Sequence, residues 1–355
     1  MARHHQQLKG DSELVRLILA CRFDDQVRRR LVDQHWEIES LLHKPGQWVL
    51  PEAELIASVQ DADILITEAD DITPRVLHEC TRLKAVISCR GIAVNVNLPA
   101  ATEEGVLIAN TPGRNADAVA DLCVCLMIMV ARNVELASES LRNGQWANSP
   151  RATVYLACQG YELPGRTIGL IGLGAIGRKV ASRLRGFQMR ILAYDPYVTQ
   201  PVADAVGTTL VPLEELLRAS DFVSLHCPVS AETRGLLGAR ELEMMKPSAF
   251  LINTARAELV EEQALLRALQ EKRIAGGALD VYHREPLRID HPLLGLSNVV
   301  LLPHIGGATY DVIRHQSEMA EANLEALRQD RVPPNLENRE VLKSPRLRLP
   351  RLTKR

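Results

Sequence analysis

Short apolar runs alternate with amphipathic stretches along the first third of the chain. The runs are rich in Val, Ile and Leu, which favours strands, and the stretches between them space their apolar residues as a helix does. Strands that alternate with helices predict βαβ units and a parallel sheet. The predicted strands are Val15–Ala20, Ile64–Thr67, Ala85–Ser88 and Val106–Ala109, and the predicted helices are Pro51–Ser58, Pro74–Cys80 and Leu98–Glu104.

The same alternation resumes after a break at residues 111–113, which read Thr-Pro-Gly. A long helix is predicted from Ala116 to Asn143, then an irregular segment at Pro150–Pro164, and a last amphipathic helix at Thr309–Gln329. The pattern between them predicts a second doubly wound parallel sheet. Its strands are Ile168–Ile171, Met189–Tyr194, Phe222–Leu225, Ala249–Asn253, Gly277–Val281 and Val299–Leu302.

The strand Ile168–Ile171 runs into a glycine-rich turn, GLGAIG, and then into a helix. Gly172 permits a tight turn, Gly174 keeps the phosphate position free of a side chain, and Gly177 lets helix and strand pack closely. Such a turn presents backbone N–H groups to a pyrophosphate at the positive end of a helix dipole. Asp195 ends the next strand, where a carboxylate would bind the ribose hydroxyls of NAD. No Arg follows at once to hold a 2′-phosphate, so we expect NAD rather than NADP.

The composition is that of a globular protein: 46% of the 355 residues are hydrophobic, 24% are charged, and the formal net charge is −2. This balance argues against a generally basic nucleic-acid binder. The longest apolar run has ten residues, too few to span a bilayer, and the N-terminus has no apolar signal core. The seven cysteines form no CxxC pair, so we expect reduced thiols, no metal site and a cytoplasmic protein.

Three polar residues follow the last three strands of the second sheet: Arg256, Glu285 and His304. The carboxyl ends of parallel strands converge on one edge of the sheet, so these residues could meet although 29 and 19 positions separate them. A guanidinium can hold a substrate carboxylate through two hydrogen bonds. An imidazole can take a hydroxyl proton as hydride leaves, and a carboxylate can orient that imidazole. The set suits hydride transfer to and from a 2-hydroxy acid.

Each of these residues also has a purely structural interpretation. Arg256 could be a surface ion-pair partner, Glu285 a loop residue before a proline, and His304 a satisfied histidine at a strand end. Asp195 could be a turn residue before Pro196. Only their joint position downstream of a nucleotide fingerprint favours the catalytic hypothesis.

The chain resembles the NAD-dependent D-2-hydroxyacid dehydrogenases, the family that includes phosphoglycerate, glycerate and D-lactate dehydrogenases. The similarity runs from about residue 60 to 330 and rests on GLGAIG with YDP, HCPVSAET, NTAR, GALDV followed by EP, and PHIGGAT. It implies an NAD-dependent oxidoreductase that transfers hydride between NAD(H) and a small D-2-hydroxy or 2-keto acid. Arg256, Glu285 and His304 match the catalytic Arg, Glu and His of the family.

The resemblance also implies the other site residues. Asp280 matches the acid that binds the nicotinamide carboxamide. The further cofactor-binding residues are Gly172, Gly174, Ala175, Ile176, Gly177, Asp195, Cys227, Pro228, Thr254 and Gly306, and the substrate-binding residues are Arg90, Gly91, Ile92, Asn115, Arg256 and His304.

The topology of the family is an α/β fold of two Rossmann-like doubly wound parallel-sheet domains, with the NAD domain inserted into a flavodoxin-like substrate domain. It implies a substrate-binding domain at 1–113, an NAD domain at 114–306 and a returning helix at 307–335. Residues 336–355 are rich in Lys and Arg, so we expect a basic, disordered tail there. A homodimer through the NAD domain is implied, with a small-molecule acid as the other partner and no membrane or nucleic acid.

The sequence departs from the family in ways that bear on the substrate. Ala257 replaces a frequent Gly, and in a substrate loop that is often glycine-rich we expect the larger Ile92 to narrow the pocket. Phosphoglycerate dehydrogenases often carry an Arg-Ser pair that binds phosphate, where this chain has Thr67 and Glu68. A carboxylate there would repel a phosphate. Two alternatives remain open: phosphite oxidation, which uses the same three residues, and an NAD-sensing corepressor or scaffold, for which the basic tail is the candidate feature.

Overall fold

The computed structural model describes residues 15–41 and 47–349, which form two compact units. Unit 1 comprises the described residues up to Arg114 and from Thr309, and unit 2 comprises Asn115–Ala308. The division lies within two residues of the domain limits expected at 113 and 306. Each unit contains its own parallel sheet, which confirms the predicted α/β class.

Unit 1 is built on a five-stranded parallel sheet in the order β2-β1-β3-β4-β5. The inner strands are buried, while the edge strand β2 alternates exposed and half-buried residues. This alternation, Glu-Ile-Glu-Ser, has no apolar run, which explains why the sequence pattern did not reveal β2. The strands are β1 Arg16–Ala20, β2 Glu37–Ser40, β3 Ile64–Thr67, β4 Ala85–Ser88 and β5 Leu107–Ala109, and the helices between them are α1 Asp25–Asp33, α2 Glu52–Val59, α3 Pro74–Glu79 and α4 Leu98–Glu103.

Unit 2 is built on a seven-stranded parallel sheet in the order β12-β11-β10-β9-β6-β7-β8. The strands are β6 Thr167–Ile171, β7 Arg190–Tyr194, β8 Thr209–Leu210, β9 Phe222–Leu225, β10 Phe250–Asn253, β11 Gly276–Leu279 and β12 Val299–Leu301. The helices are α5 Ala116–Ala131, α6 Val134–Arg142, α7 Gln145–Asn148, α8 Arg151–Ala157, α9 Ala175–Leu184, α10 Gln200–Asp204, α11 Leu213–Ala219, α12 Ala239–Met244 and α13 Glu262–Gln270. The strand order reverses at β6, so the crevice expected for a nucleotide lies at its carboxyl end.

The long helix predicted from 116 to 143 is divided in the structure. Asn133 adopts a left-handed conformation (φ 50°) between α5 and α6, and its side chain donates to the carbonyl of Gln159 at 2.7 Å. The backbone N–H of Tyr161 donates to the carbonyl of Ala131 at 2.7 Å, which satisfies the end of α5. The segment expected to be irregular at Pro150–Pro164 begins with α8, so both expectations were wrong here. None of the described helices is long and apolar enough to cross a membrane.

The chain returns to unit 1 through α14, Tyr310–Arg328, and residues 336–349 then pack against this unit. The disordered tail expected at 336–355 is therefore a wrong prediction up to residue 349, and residues 350–355 lie outside the described part. Leu336, Val341 and Leu347 are buried in one cluster with strand residues of the sheet, and a 3₁₀ turn spans Arg339–Lys343. Three apolar side chains at irregular spacing anchor this segment, which a search for helical periodicity does not detect.

Arg348 fastens this C-terminal segment to unit 1. Its guanidinium donates to the carbonyl oxygens of Cys80, Leu83 and Leu77 at 2.8, 2.9 and 3.0 Å, and to the carbonyl of Glu104 at 2.8 Å. It also pairs with the Glu104 carboxylate at 3.1 Å, and its side chain is only 13% exposed. One of the positive charges that suggested a solvated tail is therefore a largely buried donor to the C-terminal end of α3 and its following loop.

Replacing Arg348 should destabilise unit 1. Arg348→Ala removes the donor from four carbonyl groups and one carboxylate, so we expect a loss of about 2–4 kcal/mol in the free energy of unfolding. Urea titration followed by circular dichroism measures it. Arg346→Ala is the matched control, because Arg346 is exposed and two residues away. Equal stability of the two variants would contradict the role assigned to Arg348.

Candidate active site

The glycine-rich turn between β6 and α9 has the geometry of a phosphate cradle. Gly172 has φ 98°, and a Cβ there would lie 2.7 Å from the backbone nitrogen of Cys227. A Cβ at Gly177 would overlap the carbonyl oxygen of Gly172, whereas a Cβ at Gly174 would meet no protein atom within 4 Å. Gly172 and Gly177 are thus required by the fold. Gly174 borders open space in front of Ala175 and Ile176 at the N-terminus of α9, as a pyrophosphate site requires.

Asp195 joins the end of β7 to this turn. Its Oδ2 accepts from the backbone N–H of Leu173 at 2.8 Å, and its Oδ1 accepts from the N–H of Tyr197 at 2.9 Å. The second contact is the turn interaction considered from the sequence. Each carboxylate oxygen can accept more than one hydrogen bond, so these contacts leave capacity for ribose hydroxyls.

The loop after β9 approaches the same turn. It carries Cys227 and Pro228, and burial raises the pKa of the Cys227 thiol to about 11, so this cysteine is a neutral thiol. His226 was not singled out from the sequence, although it precedes them directly. Its Nε2 lies 3.0 Å from the Ser224 hydroxyl, and burial lowers its pKa to about 4, so the imidazole is neutral at neutral pH.

Glu285 and His304 meet at the carboxyl end of the sheet of unit 2. Glu285 follows β11 and His304 follows β12, and these strands are neighbours. The Nδ1 of His304 lies 2.7 Å from Oε2 of Glu285, while Oε1 of Glu285 accepts from the N–H of Tyr282 at 3.0 Å. Both side chains are partly exposed, at 45% and 37% for His304 and Glu285. The structure therefore places an oriented imidazole where the sequence predicted an acid–base pair.

His304 has a strained backbone that Asp280 holds in place. Its φ is 54°, a left-handed conformation that costs a non-glycine residue about 1–3 kcal/mol. The carboxylate of Asp280, which is 1% exposed, accepts from the N–H of Ile305 at 2.8 Å and from the N–H of Gly306 at 2.7 Å. Asp280 and Gly306 were expected to contact the cofactor. In the structure they fix the loop that presents His304.

Arg256 follows β10, the strand next to β11. Its exposed guanidinium donates to the carbonyl of Ala255 at 2.7 Å, and its own carbonyl accepts from the Asn253 side chain at 2.9 Å. In the described structure Arg256 thus shares the sheet edge with Glu285 and His304 without bonding to either. Thr254, beside it, has a buried hydroxyl without a partner in the described residues.

In unit 1, the loop Arg90-Gly91-Ile92 is fixed by its carbonyl groups. The N–H of Thr111 donates to the carbonyl of Arg90 at 2.9 Å, and the Asn110 side chain donates to that of Gly91 at 3.0 Å. Within residues 15–41 and 47–349, the N–H groups of Gly91 and Ile92 have no partner. Adjacent free N–H groups can donate hydrogen bonds to an anion. Asn115, the other residue expected to bind substrate, is the residue before α5 in unit 2.

The carboxylate of Glu68 is paired in the structure, whereas the sequence suggested a charge free to repel a phosphate. Its carboxylate pairs with the Arg114 guanidinium at 2.7 Å, and both side chains are largely buried. Arg90 Nε donates to the backbone carbonyl of Glu68 at 2.5 Å. Because Arg114 neutralises the Glu68 charge, the repulsion of a substrate phosphate is weaker than an isolated carboxylate would exert.

These features suit a nucleotide-dependent dehydrogenase, and the residues fit NAD: open space at Gly174 that a Cβ would fill, an Asp195 carboxylate with acceptor capacity left and a buried Thr254 hydroxyl without a partner in the described residues. Residues 124–306 match the model of the D-isomer specific 2-hydroxyacid dehydrogenase NAD binding domain. The chain belongs to the D-isomer specific 2-hydroxyacid dehydrogenase family, as its motifs indicated, and is an NAD-dependent oxidoreductase.

Relatives extend this similarity over most of the chain. It is 38% identical over 316 residues to the glyoxylate reductase of Thermococcus litoralis, covering 89% of this chain and 94% of that protein. It is 40% identical over 315 residues to the glyoxylate reductase of Korarchaeum cryptofilum, covering 88% and 92%. The crystal structure of the TT0316 protein from Thermus thermophilus superposes with a TM-score of 0.79 at 35% identity, covering 91% of this chain and 99% of that one.

Proposed function

We propose that this enzyme reduces a small 2-keto acid of the glyoxylate type with NADH, and catalyses the reverse oxidation of the D-2-hydroxy acid. The observation that carries the proposal is the 2.7 Å contact between His304 Nδ1 and Glu285 Oε2 at the carboxyl ends of β11 and β12. The names of the two relatives support a substrate as small as glyoxylate.

His304 would hold the proton that is transferred. An ionised carboxylate only accepts hydrogen bonds, so Nδ1 keeps its proton towards Glu285 and Nε2 is the atom that gains and loses one. When bound, NADH supplies the hydride to the carbonyl carbon. His304 Nε2 gives its proton to the carbonyl oxygen, and Glu285 stabilises the imidazolium before that step. One keto acid, one NADH and one proton thus yield one hydroxy acid and one NAD⁺.

Two groups are suited to a substrate carboxylate. Arg256 offers an exposed guanidinium at the sheet edge of unit 2, which can form two parallel hydrogen bonds with a carboxylate. In unit 1, the free N–H groups of Gly91 and Ile92 offer neutral donors. The family resemblance implies a role in carboxylate binding for each of these groups.

The proposal is tested by NADH oxidation with a panel of acids: glyoxylate, hydroxypyruvate, pyruvate, phenylpyruvate, 2-oxoglutarate and phosphohydroxypyruvate. We expect the highest kcat/KM for glyoxylate or hydroxypyruvate. NAD⁺ reduction with phosphite is measured in parallel. Tight NADH binding without turnover of any keto acid, or turnover of phosphite alone, would refute the proposed substrate. Residues 336–349 pack against unit 1, so the candidate feature of the corepressor alternative is reduced to residues 350–355, which lie outside the described part of the chain.

We also propose that the enzyme is a homodimer through unit 2. Seven large apolar side chains between residues 134 and 161 are exposed: Val134, Leu136, Leu141, Trp146, Tyr155, Leu156 and Tyr161. Exposed apolar patches of this kind mark protein–protein interfaces. A second copy of unit 2 is the partner that the family resemblance implies.

The dimer is tested by placing a charge in this patch. Trp146→Glu should convert a dimer to a monomer in light scattering coupled to gel filtration, because a buried unpaired carboxylate strongly opposes association. Trp48→Glu is the matched control, since Trp48 is an exposed tryptophan in unit 1. A monomeric wild-type protein, or dimers of both variants, would contradict this interface.

A further inference from the structure

Arg178 places a positive charge close to the N-terminus of α9. It is the fourth residue of α9, and its Nε donates to the carbonyl oxygen of Gly174, the residue that caps the helix, at 3.3 Å. The guanidinium is thereby folded back to the N-terminus. A positive charge at this end is disfavoured by the helix dipole. The first turn of α9 contains no acidic residue to offset it.

The other basic residues of α9 are paired, which distinguishes Arg178 from them. Lys179 binds Asp117 at 2.8 Å, and Arg183 binds Asp117 and Asp121 at 3.0 and 2.6 Å. No carboxylate pairs with Arg178 in the described part of the chain. The acid at the end of β7, Asp195, accepts from the N–H groups of Leu173 and Tyr197 and does not pair with Arg178. An exposed, unpaired guanidinium therefore lies beside the open space that Gly174 borders.

We propose that Arg178 provides the cationic contact to the pyrophosphate of the dinucleotide. The turn itself, GLGAIG, is uncharged and offers only backbone N–H groups. A pyrophosphate at the N-terminus of α9 would bring two negative charges next to Arg178 and remove its unfavourable interaction with the helix dipole. In the free enzyme the charge of Arg178 thus slightly destabilises the N-terminus of α9, and in the complex the pyrophosphate neutralises this charge. This inference concerns cofactor binding and does not depend on which keto acid is reduced.

The test measures binding without any substrate. NADH is titrated by fluorescence, and ADP-ribose and adenosine are titrated as competitors, at low and at high salt. Arg178→Gln should weaken NADH and ADP-ribose binding by about 10- to 150-fold, the usual value of a charge-assisted contact, and should reduce the salt dependence. Adenosine, which has no phosphate, should bind unchanged. Arg178→Lys should retain part of the affinity.

Lys179→Gln is the matched control, with the same loss of charge at the next residue, and should change the NADH affinity less than twofold. A second readout separates binding from folding: the melting temperature of cofactor-free Arg178→Gln should equal or exceed that of the wild type, because a cation leaves the helix N-terminus. The proposal is overturned if Arg178→Gln binds NADH like the wild type, if adenosine loses as much affinity as NADH, or if the cofactor-free variant melts earlier.

Discussion

His304→Gln should lower kcat by about 10²–10⁴, the usual contribution of a general acid–base group. Gln cannot transfer a proton, although its amide can still reach a carboxylate. The contact of His304 Nδ1 with Glu285 at 2.7 Å orients the imidazole, so the substitution removes both the proton and its orientation. Steady-state kinetics with the best keto acid measures the effect, and a fluorescence titration should show NADH binding unchanged.

The chain offers a matched control for this substitution. His78 also lies beside a carboxylate, with Nδ1 3.1 Å from Glu104, but it is in α3 of unit 1. His78→Gln should leave kcat within a factor of two. Glu285→Gln should give an intermediate loss, since it keeps an acceptor for the imidazole but removes the negative charge that stabilises the imidazolium. A kcat of His304→Gln equal to the wild type would refute the acid–base assignment.

Gly174→Ala should abolish most of the cofactor affinity while leaving the fold intact. A Cβ at this position meets no protein atom within 4 Å, and the backbone of Gly174 is extended, with φ −73° and ψ −155°. The methyl group instead occupies the space where the pyrophosphate approaches the backbone. We expect NADH affinity to fall by about 10- to 100-fold, a value typical of steric overpacking. Fluorescence titration and thermal melting of the cofactor-free protein measure the two quantities separately.

Substitutions of two further glycines serve as controls for Gly174→Ala. Gly177→Ala should lower the melting temperature, because its Cβ would overlap the Gly172 carbonyl oxygen. Gly186→Ala should change neither property, since its Cβ meets nothing within 4 Å and it lies after α9, away from the turn. Unimpaired NADH binding by Gly174→Ala would show that the pyrophosphate does not lie against this turn.

The fold was predictable wherever strands are buried on both faces. Such strands appear as continuous apolar runs, and β3, β4 and β9 begin and end where the sequence placed them. The edge strand β2 and the two-residue β8 carry no such run. The end of α5 depends on Asn133 and on a distant backbone contact with Tyr161, which no local pattern contains.

The candidate site was predictable as residue types but not as contacts. Motif spacing and strand order indicated Glu285 and His304, and the structure brings them together. The pairing of Glu68 with Arg114 could not be read from the chain, because 46 residues separate them. This pairing weakens the repulsion that Glu68 was expected to exert on a phosphorylated substrate. Arg178 was overlooked because the glycine motif ends one residue before it, and its significance depends on which neighbouring charges are already paired.

Unit 1 is assembled from two separate parts of the chain, which has a consequence for biosynthesis. Leu17 and Leu19 of β1 share one buried cluster with Leu324 of α14 and with Val341. Residues 115–308 are fully translated 41 residues before position 349. At ordinary elongation rates this interval lasts about 2–8 s. Unit 2 can therefore fold on the ribosome before α14 and residues 336–349 have been made. One face of the sheet of unit 1 stays uncovered until then, so unit 1 completes its fold after unit 2 although it contains the start of the chain.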